Sequence, residues 1–248
     1  MKMKASLSLV TVCILFFMGM SCWSITLDLE SGAVVPGYND VQVPGTAAGT
    51  RLSLSDALAI ENKAYYRLRI TKEVGNDKYV SVLYAPLSVE GQGVLKAPVR
   101  YNGQLFPAST AVSGVYRFDS YRVSYWKRYV RTEAFSWKLG FTAKIRDASI
   151  ALKGNGITSE KKNTGFVPLL NIGCEYAFTK KLSFVFDADA LAGGPGRAED
   201  VLIAGKYGFS ERSGVRVGYR FVEGGADVEE VYNFALINYL AIGFFHSF

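Results

Sequence analysis

Between Phe135 and Arg146 the chain alternates without a break: Phe135, Trp137, Leu139, Phe141, Ala143 and Ile145 form one row, and Ser136, Lys138, Gly140, Thr142, Lys144 and Arg146 form the other. A period of two belongs to a strand, whose successive side chains point to opposite faces; a helix repeats every ~3.6 residues. The pattern recurs. Leu182, Phe184, Phe186, Ala188 and Ala190 oppose Ser183, Val185, Asp187 and Asp189, and Val215, Val217, Tyr219 and Phe221 oppose Arg216, Gly218 and Arg220. Tyr66, Leu68 and Ile70 oppose Arg67, Arg69 and Thr71, and Tyr121, Val123 and Tyr125 oppose Ser120, Arg122 and Ser124. In a soluble sandwich the apolar row packs on a second sheet. In an outer-membrane barrel it faces lipid, and the polar row faces water inside.

Connection lengths separate the two architectures. The alternation predicts ten strands, at 25–34, 63–74, 77–88, 114–128, 133–150, 165–178, 181–192, 198–210, 212–223 and 231–248. Their links alternate between short ones (Val74 to Asp77, Tyr129 to Thr132, Thr179 to Lys180, Ser210 to Glu211) and long ones (Pro36 to Asn62, Glu90 to Ser113, Asp147 to Thr164). Short periplasmic turns, long outer loops and an even strand number are the asymmetry of bacterial barrels. Aromatic residues flank the short turns, as an interfacial girdle requires: Trp126, Tyr129, Phe135, Trp137, Tyr176, Phe178, Phe184, Tyr207 and Phe209. The fold class predicted is all-β, a closed antiparallel transmembrane β-barrel of about ten strands, with eight as the alternative count. A soluble, secreted ligand-binding barrel with its apolar residues inside is the architectural rival.

The start of the chain has secretory-signal order. Lys2 and Lys4 are a basic lead, Leu7 to Met20 an apolar stretch too short for a spanning helix, and small residues follow before Asp28. Cleavage after Ser24 divides the chain into a signal peptide, 1–24, and a barrel domain, 25–248. A cut after Ser21 with lipidation of Cys22 is disfavoured by Met18-Gly19-Met20. Elsewhere, charges interrupt every apolar run of helix-spanning length. Loss of Cys13 and Cys22 leaves Cys174 without an intramolecular disulfide partner. Loss of Lys2 and Lys4 lowers the net charge from +6 to +4, and no basic cluster or motif points to nucleic acid.

The last strand, Tyr239 to Phe248, resembles the C-terminal signal of bacterial outer-membrane β-barrel proteins. Alternate apolar residues Leu240, Ile242 and Phe244 lead to the terminal aromatic Phe248. His246 and Asn238 depart from that pattern. The resemblance implies an outer-membrane location among lipid and lipopolysaccharide, and a partner in the barrel-assembly machinery that reads this strand. Enzymes of the same class, such as lipid A or phospholipid acyl-modifying barrels, use a His with Ser, Asp or Glu near the outer surface. The single His of this chain, His246, falls at the periplasmic end, and Ser247 beside it points to the opposite face. No catalytic set is assigned.

Projected inward, the polar rows place Arg67, Arg69, Arg122, Lys138, Lys144, Arg146, Arg216 and Arg220 beside Asp28, Glu30, Glu175, Asp187 and Asp189. A ten-strand lumen lies just above the size that side chains fill, so a plug of paired charges is one reading. A narrow anion path or pocket, using forked guanidinium contacts, is the other. Asp187 and Asp189 share one face and read as wall residues paired across the lumen. Asp227, Glu229 and Glu230 match no calcium-loop spacing, so no metal is expected, and no cofactor motif is present. Gly193-Gly194-Pro195-Gly196 reads as a turn, and Asn102-Gly103 as a hairpin that extends the barrel or folds over its mouth. The function expected is that of a non-enzymatic structural or surface-interaction protein, with a narrow solute or anion pathway as an additional option; the alternative is a lipid-modifying enzyme.

Overall fold

A computed structural model describes residues 24–60, 63–194 and 196–248 of the chain. Residues 1–23, with Lys2, Lys4, Cys13 and Cys22, lie outside the described residues. In chain order come β1 (Ile25–Gln42), β2 (Leu52–Ser53), the single turn α1 (Leu54–Ala57), β3 (Ala59–Ile60), β4 (Lys63–Gly75), β5 (Lys78–Ala85) and β6 (Ser88–Val94). A small hairpin, β7 (Val99–Tyr101) and β8 (Gln104–Phe106), precedes β9 (Ala111–Val130), β10 (Phe135–Gly154) and β11 (Ile157–Ala177). The chain ends with β12 (Leu182–Gly193), β13 (Gly196–Gly208), β14 (Ser213–Val228) and β15 (Val231–Ser247).

Strands β9 to β15 each pair with the next, β15 pairs with β1, and β1, β4, β5 and β9 complete the ring, a closed antiparallel barrel of ten strands. β6 continues β5 in one register along β9, from Ala85 opposite Ser120 to Ser88 opposite Arg117. Closure gives every wall strand a neighbour on each side, which is how a strand satisfies its backbone in lipid. The turns at the terminal end are built by hydroxyls. Thr132, Thr179 and Ser210 accept from the amides of Phe135, Leu182 and Ser213 at 3.0, 3.0 and 2.9 Å. Both described termini lie at this end, which by the asymmetry of turns and loops is periplasmic.

The two rows face as the alternation predicts. Leu139, Phe141, Ile145, Leu170, Ile203, Val217, Leu240 and Ile242 are exposed on the outer wall. Arg67, Arg122, Lys144, Asn171, Asp189 and Arg220 are buried inside. An apolar exterior around a polar interior inverts the soluble barrel and fits hydrocarbon. Near the short turns, Tyr129 stacks on Trp137 with ring centroids 4.4 Å apart. Trp126 corrects the girdle assignment: it is 9% exposed, stacks on Tyr79 and lies under the Lys138 ammonium at 4.6 Å. Its parity on β9 is that of Ser120, Arg122 and Ser124, so it faces the lumen.

The largest departures are at the outer end. Asp147 to Thr164, expected as a loop, is β10 and β11 running on to a tight turn at Asn155-Gly156, with Gly154 paired to Ile157. β14 likewise reaches Val228, so Asp227 is a strand residue and only Glu229-Glu230 link it to β15. These strands stand above the apolar belt and enclose a second, apolar core. The segment after β1 folds into it, burying Leu52, Leu54 and Leu58. Room for Leu58 is left at Gly114, where an added Cβ would lie 2.4 Å from the Leu58 Cδ1. The β7–β8 hairpin turns on Asn102 and Gly103, both at positive φ, as a two-residue hairpin requires. It folds over the mouth: Tyr101 and Phe106 are fully buried, the Tyr101 hydroxyl donates to the Ile150 carbonyl at 2.8 Å, and the Asn102 amide donates to Val43 at 2.8 Å.

Candidate functional site

At mid-height the lumen is crossed by ion pairs contributed from strands around the whole ring. Asp189 on β12 and Asp200 on β13 stand directly opposite each other in register, both on the inner face. Like charges so placed repel. The Arg122 fork bridges them from β9, with Nη1 2.8 Å from Asp189 and Nη2 2.6 Å from Asp200. Asp200 also takes Arg67 at 2.7 Å and pairs with Arg220, and Arg220 donates through Nε to Glu30 at 2.8 Å. Arg216 joins Glu30 to Asp28 at 2.9 and 2.7 Å, and the Tyr65 hydroxyl donates to Glu30 at 3.1 Å. Thr142 and Asn171 each donate to Asp189 at 2.7 Å, and Thr142 shares a 2.6 Å contact with Ser124.

Charged groups this deep persist only when paired and hydrogen-bonded, because each carries a desolvation cost of several kcal/mol, on the order of the pair's own attraction. Here forked guanidinium groups satisfy two carboxylates each, the contact type that best offsets that cost.

Below the network Asp187 holds Arg69 at 2.9 Å and Lys138 at 2.8 Å. This layer floors a periplasmic vestibule of about 280 Å³, whose lining includes Trp126, Glu175 and Val185. Glu175 accepts from Lys206 at 2.9 Å and from Ser183 at 2.7 Å. Above the network lies an outer cavity of about 420 Å³, with Lys144 and Arg146 among its lining groups.

The inward charges predicted from sequence are thus brought to one lumen, in three levels. Asp28, Glu30, Arg67, Arg122, Asp189, Arg216 and Arg220 form the middle, Arg69, Lys138, Glu175 and Asp187 the lower, and Lys144 and Arg146 the upper. The sequence reading missed Asp200, on which Arg67, Arg122 and Arg220 converge. Its signal was present: Asp200 shares parity with Lys206, opposite Val201, Ile203 and Tyr207. It also missed Ser213, whose hydroxyl lies 2.8 Å from His246 Nδ1. The His246 ring meets Phe248 edge-on at 4.6 Å, at the periplasmic end of β15. Among the described residues no group of three or more His, Cys, Asp or Glu has metal-holding geometry.

Leu240, Ile242, Phe244 and Phe248 are exposed along or beyond β15, and β15 is sealed on both sides by β14 and β1.

No protein-family model and no curated protein sequence matches the chain. Solved structures match in fold. The outer-membrane protease OmpT from Escherichia coli is 9% identical, with a TM-score of 0.54 over 93% of this chain and 99% of that one. The attachment invasion locus protein Ail of Yersinia pestis is 11% identical, with a TM-score of 0.40 over 90% and 98%. An outer membrane channel from Pseudomonas putida F1 is 8% identical, with a TM-score of 0.42 over 91% and 96%. Identities this low speak to fold alone; the OmpT match, the ring of ten strands and the apolar exterior together identify the chain as a ten-stranded β-barrel of the bacterial outer-membrane type.

Proposed function

We propose that this chain is a non-enzymatic outer-membrane barrel that works as a surface-interaction protein and does not conduct solutes. The observation that carries this reading is the Arg67–Arg122–Arg220 cluster on Asp200, with all four side chains almost fully buried. An aqueous path would leave these groups hydrated; instead they are bonded to one another and almost without solvent. The folded outer cap, with Tyr101 and Phe106 fully buried, presents a built surface outside the membrane. Exposed Lys153 near the tip of the β10–β11 hairpin suits anionic lipopolysaccharide, whereas Lys162 is already paired with Glu160 at 3.0 Å. His246, held by Ser213 at the periplasmic rim, is far from the outer leaflet where lipid A chemistry would occur. Leu240, Ile242, Phe244 and Phe248 offer the assembly machinery its recognition strand.

Planar-bilayer recording of the purified barrel tests the reading: silence across salts is expected, and steady single-channel steps would overturn it. Lipid profiling with and without the protein tests the enzyme alternative; a lipid species that changes with the protein would favour it.

A further inference from the structure

The barrel wall has an opening at the level of the outer cavity. The β11–β12 ladder ends at Leu170 opposite Ala190. Beyond that pair β11 continues on β10 alone to Ile157, and β12 continues on β13 alone to Gly193. Pro168, two positions past the last pair, has no N–H with which to prolong the ladder. The lips are greasy: Phe166 is 68% exposed on the lipid side, and Leu191, on the lumen row of β12, is 42% exposed because no strand faces it. Both line the outer cavity of about 420 Å³, a volume within the ~300–1,000 Å³ span of small-ligand sites. Its inner walls, from Phe118 and Ala148 to Val222 and Ile237, are mostly apolar.

One group in this cavity is unlike the rest of the lumen. Lys144 is 3% exposed, and among the described residues no carboxylate lies within ion-pair distance of it. Its ammonium lies over the Phe118 ring at 4.7 Å, and its register neighbour on β9 is another cation, Arg122. The next inward residue, Arg146, bonds the neutral Asn163, and its Nε is buried without a partner. Glu223, the carboxylate among the lining groups, is held by Arg197 at 2.8 Å, so Lys144 and Arg146 face this cavity as cations without a carboxylate partner among the described residues, whereas Arg67, Arg69, Arg122, Lys138, Arg216 and Arg220 below it each meet one.

We infer that the outer cavity binds a single-chain anionic amphiphile, a long-chain carboxylate, which enters from the outer leaflet between β11 and β12 and sets its acid group against Lys144. The gap supplies access from lipid, the apolar walls take the alkyl chain, and the carboxylate supplies the counter-charge that Lys144 lacks. The site does not depend on whether the barrel conducts, and binding is read separately from current.

Native mass spectrometry of the full barrel with laurate tests the site, with dodecanol as the neutral chain of equal length. One laurate per barrel is expected. Lys144→Met, which keeps the stem and removes the charge, lowers laurate affinity by about tenfold or more, and dodecanol binds wild type as weakly as that variant binds laurate. Ala148→Trp, which fills the cavity, abolishes uptake in barrels shown to be folded by heat-modifiable gel mobility. No laurate adduct on wild type, equal binding of laurate and dodecanol, or undiminished binding by either folded variant would overturn the inference.

Discussion

Asp189 and Asp200 face each other across β12 and β13, and the guanidinium of Arg122 is the clamp that bridges them inside the wall, at 2.8 and 2.6 Å. Removing Arg122 leaves two buried carboxylates opposed, a loss of about 3–5 kcal/mol by the measure of broken buried pairs. Arg122→Met is expected to unfold from vesicles at lower urea than wild type. Arg122→Met with Asp189→Asn is expected to regain part of the loss, because the opposed charge is gone while the Thr142 and Asn171 donors still have an oxygen to bond. Equal midpoints for wild type and Arg122→Met would count against the clamp.

The outer cap responds to alkali. Burial raises the Tyr101 phenol above its ordinary pKa of about 10, so the fold favours its neutral form. A raised folded value means a contribution that is complete below about pH 10 and falls as the pH climbs past it. Limited proteolysis between β7 and β8 should therefore quicken above that pH. Tyr101→Phe, which forfeits the bond to Ile150, should show faster cleavage at neutral pH, by about 1 kcal/mol of lost protection, and a flatter pH profile.

At the opposite end, deletion of Phe248 tests the assembly signal. The Phe248 amide bonds the Ile25 carbonyl at 2.9 Å, a small contribution to the folded barrel. If the residue serves recognition, its deletion lowers the outer-membrane yield in cells several-fold, while refolding of the purified chain into detergent is little changed. A parallel fall in both would make the role structural.

Much of this was legible in the sequence, and the exceptions share a cause. A lipid-facing row is uniformly apolar, so Leu139, Phe141 and Ile145 announce both strand and face. Above the bilayer that constraint lapses. Lys153, Lys161 and Asn163 then resemble loop residues although backbone pairing carries β10 and β11 through them to Gly154 opposite Ile157. Leu52 and Leu54 are single apolar residues among Thr, Arg, Ser and Asp, Leu58 stands in a run of four apolar residues too short to show a period, and only the core they fill explains them. Asp200 was hidden because β13 mixes Leu202 and Ala204 into its lumen row, which blurs the contrast between faces. Trp126 was misplaced by weighing its residue type above its parity. Pairing partners across the lumen lie outside what a one-dimensional pattern can specify.

The account stands on which row meets the bilayer, and one pair of neighbours reports it. Leu139 is 44% exposed on the outer wall, whereas the Lys138 side chain is 17% exposed and bound to Asp187 within the lumen. Nitroxide labels at the two positions, in barrels reconstituted into vesicles, should differ: the label at 139 relaxed strongly by oxygen dissolved in lipid, the label at 138 shielded from it. Strong relaxation at 138 with protection at 139 would contradict the account at its base.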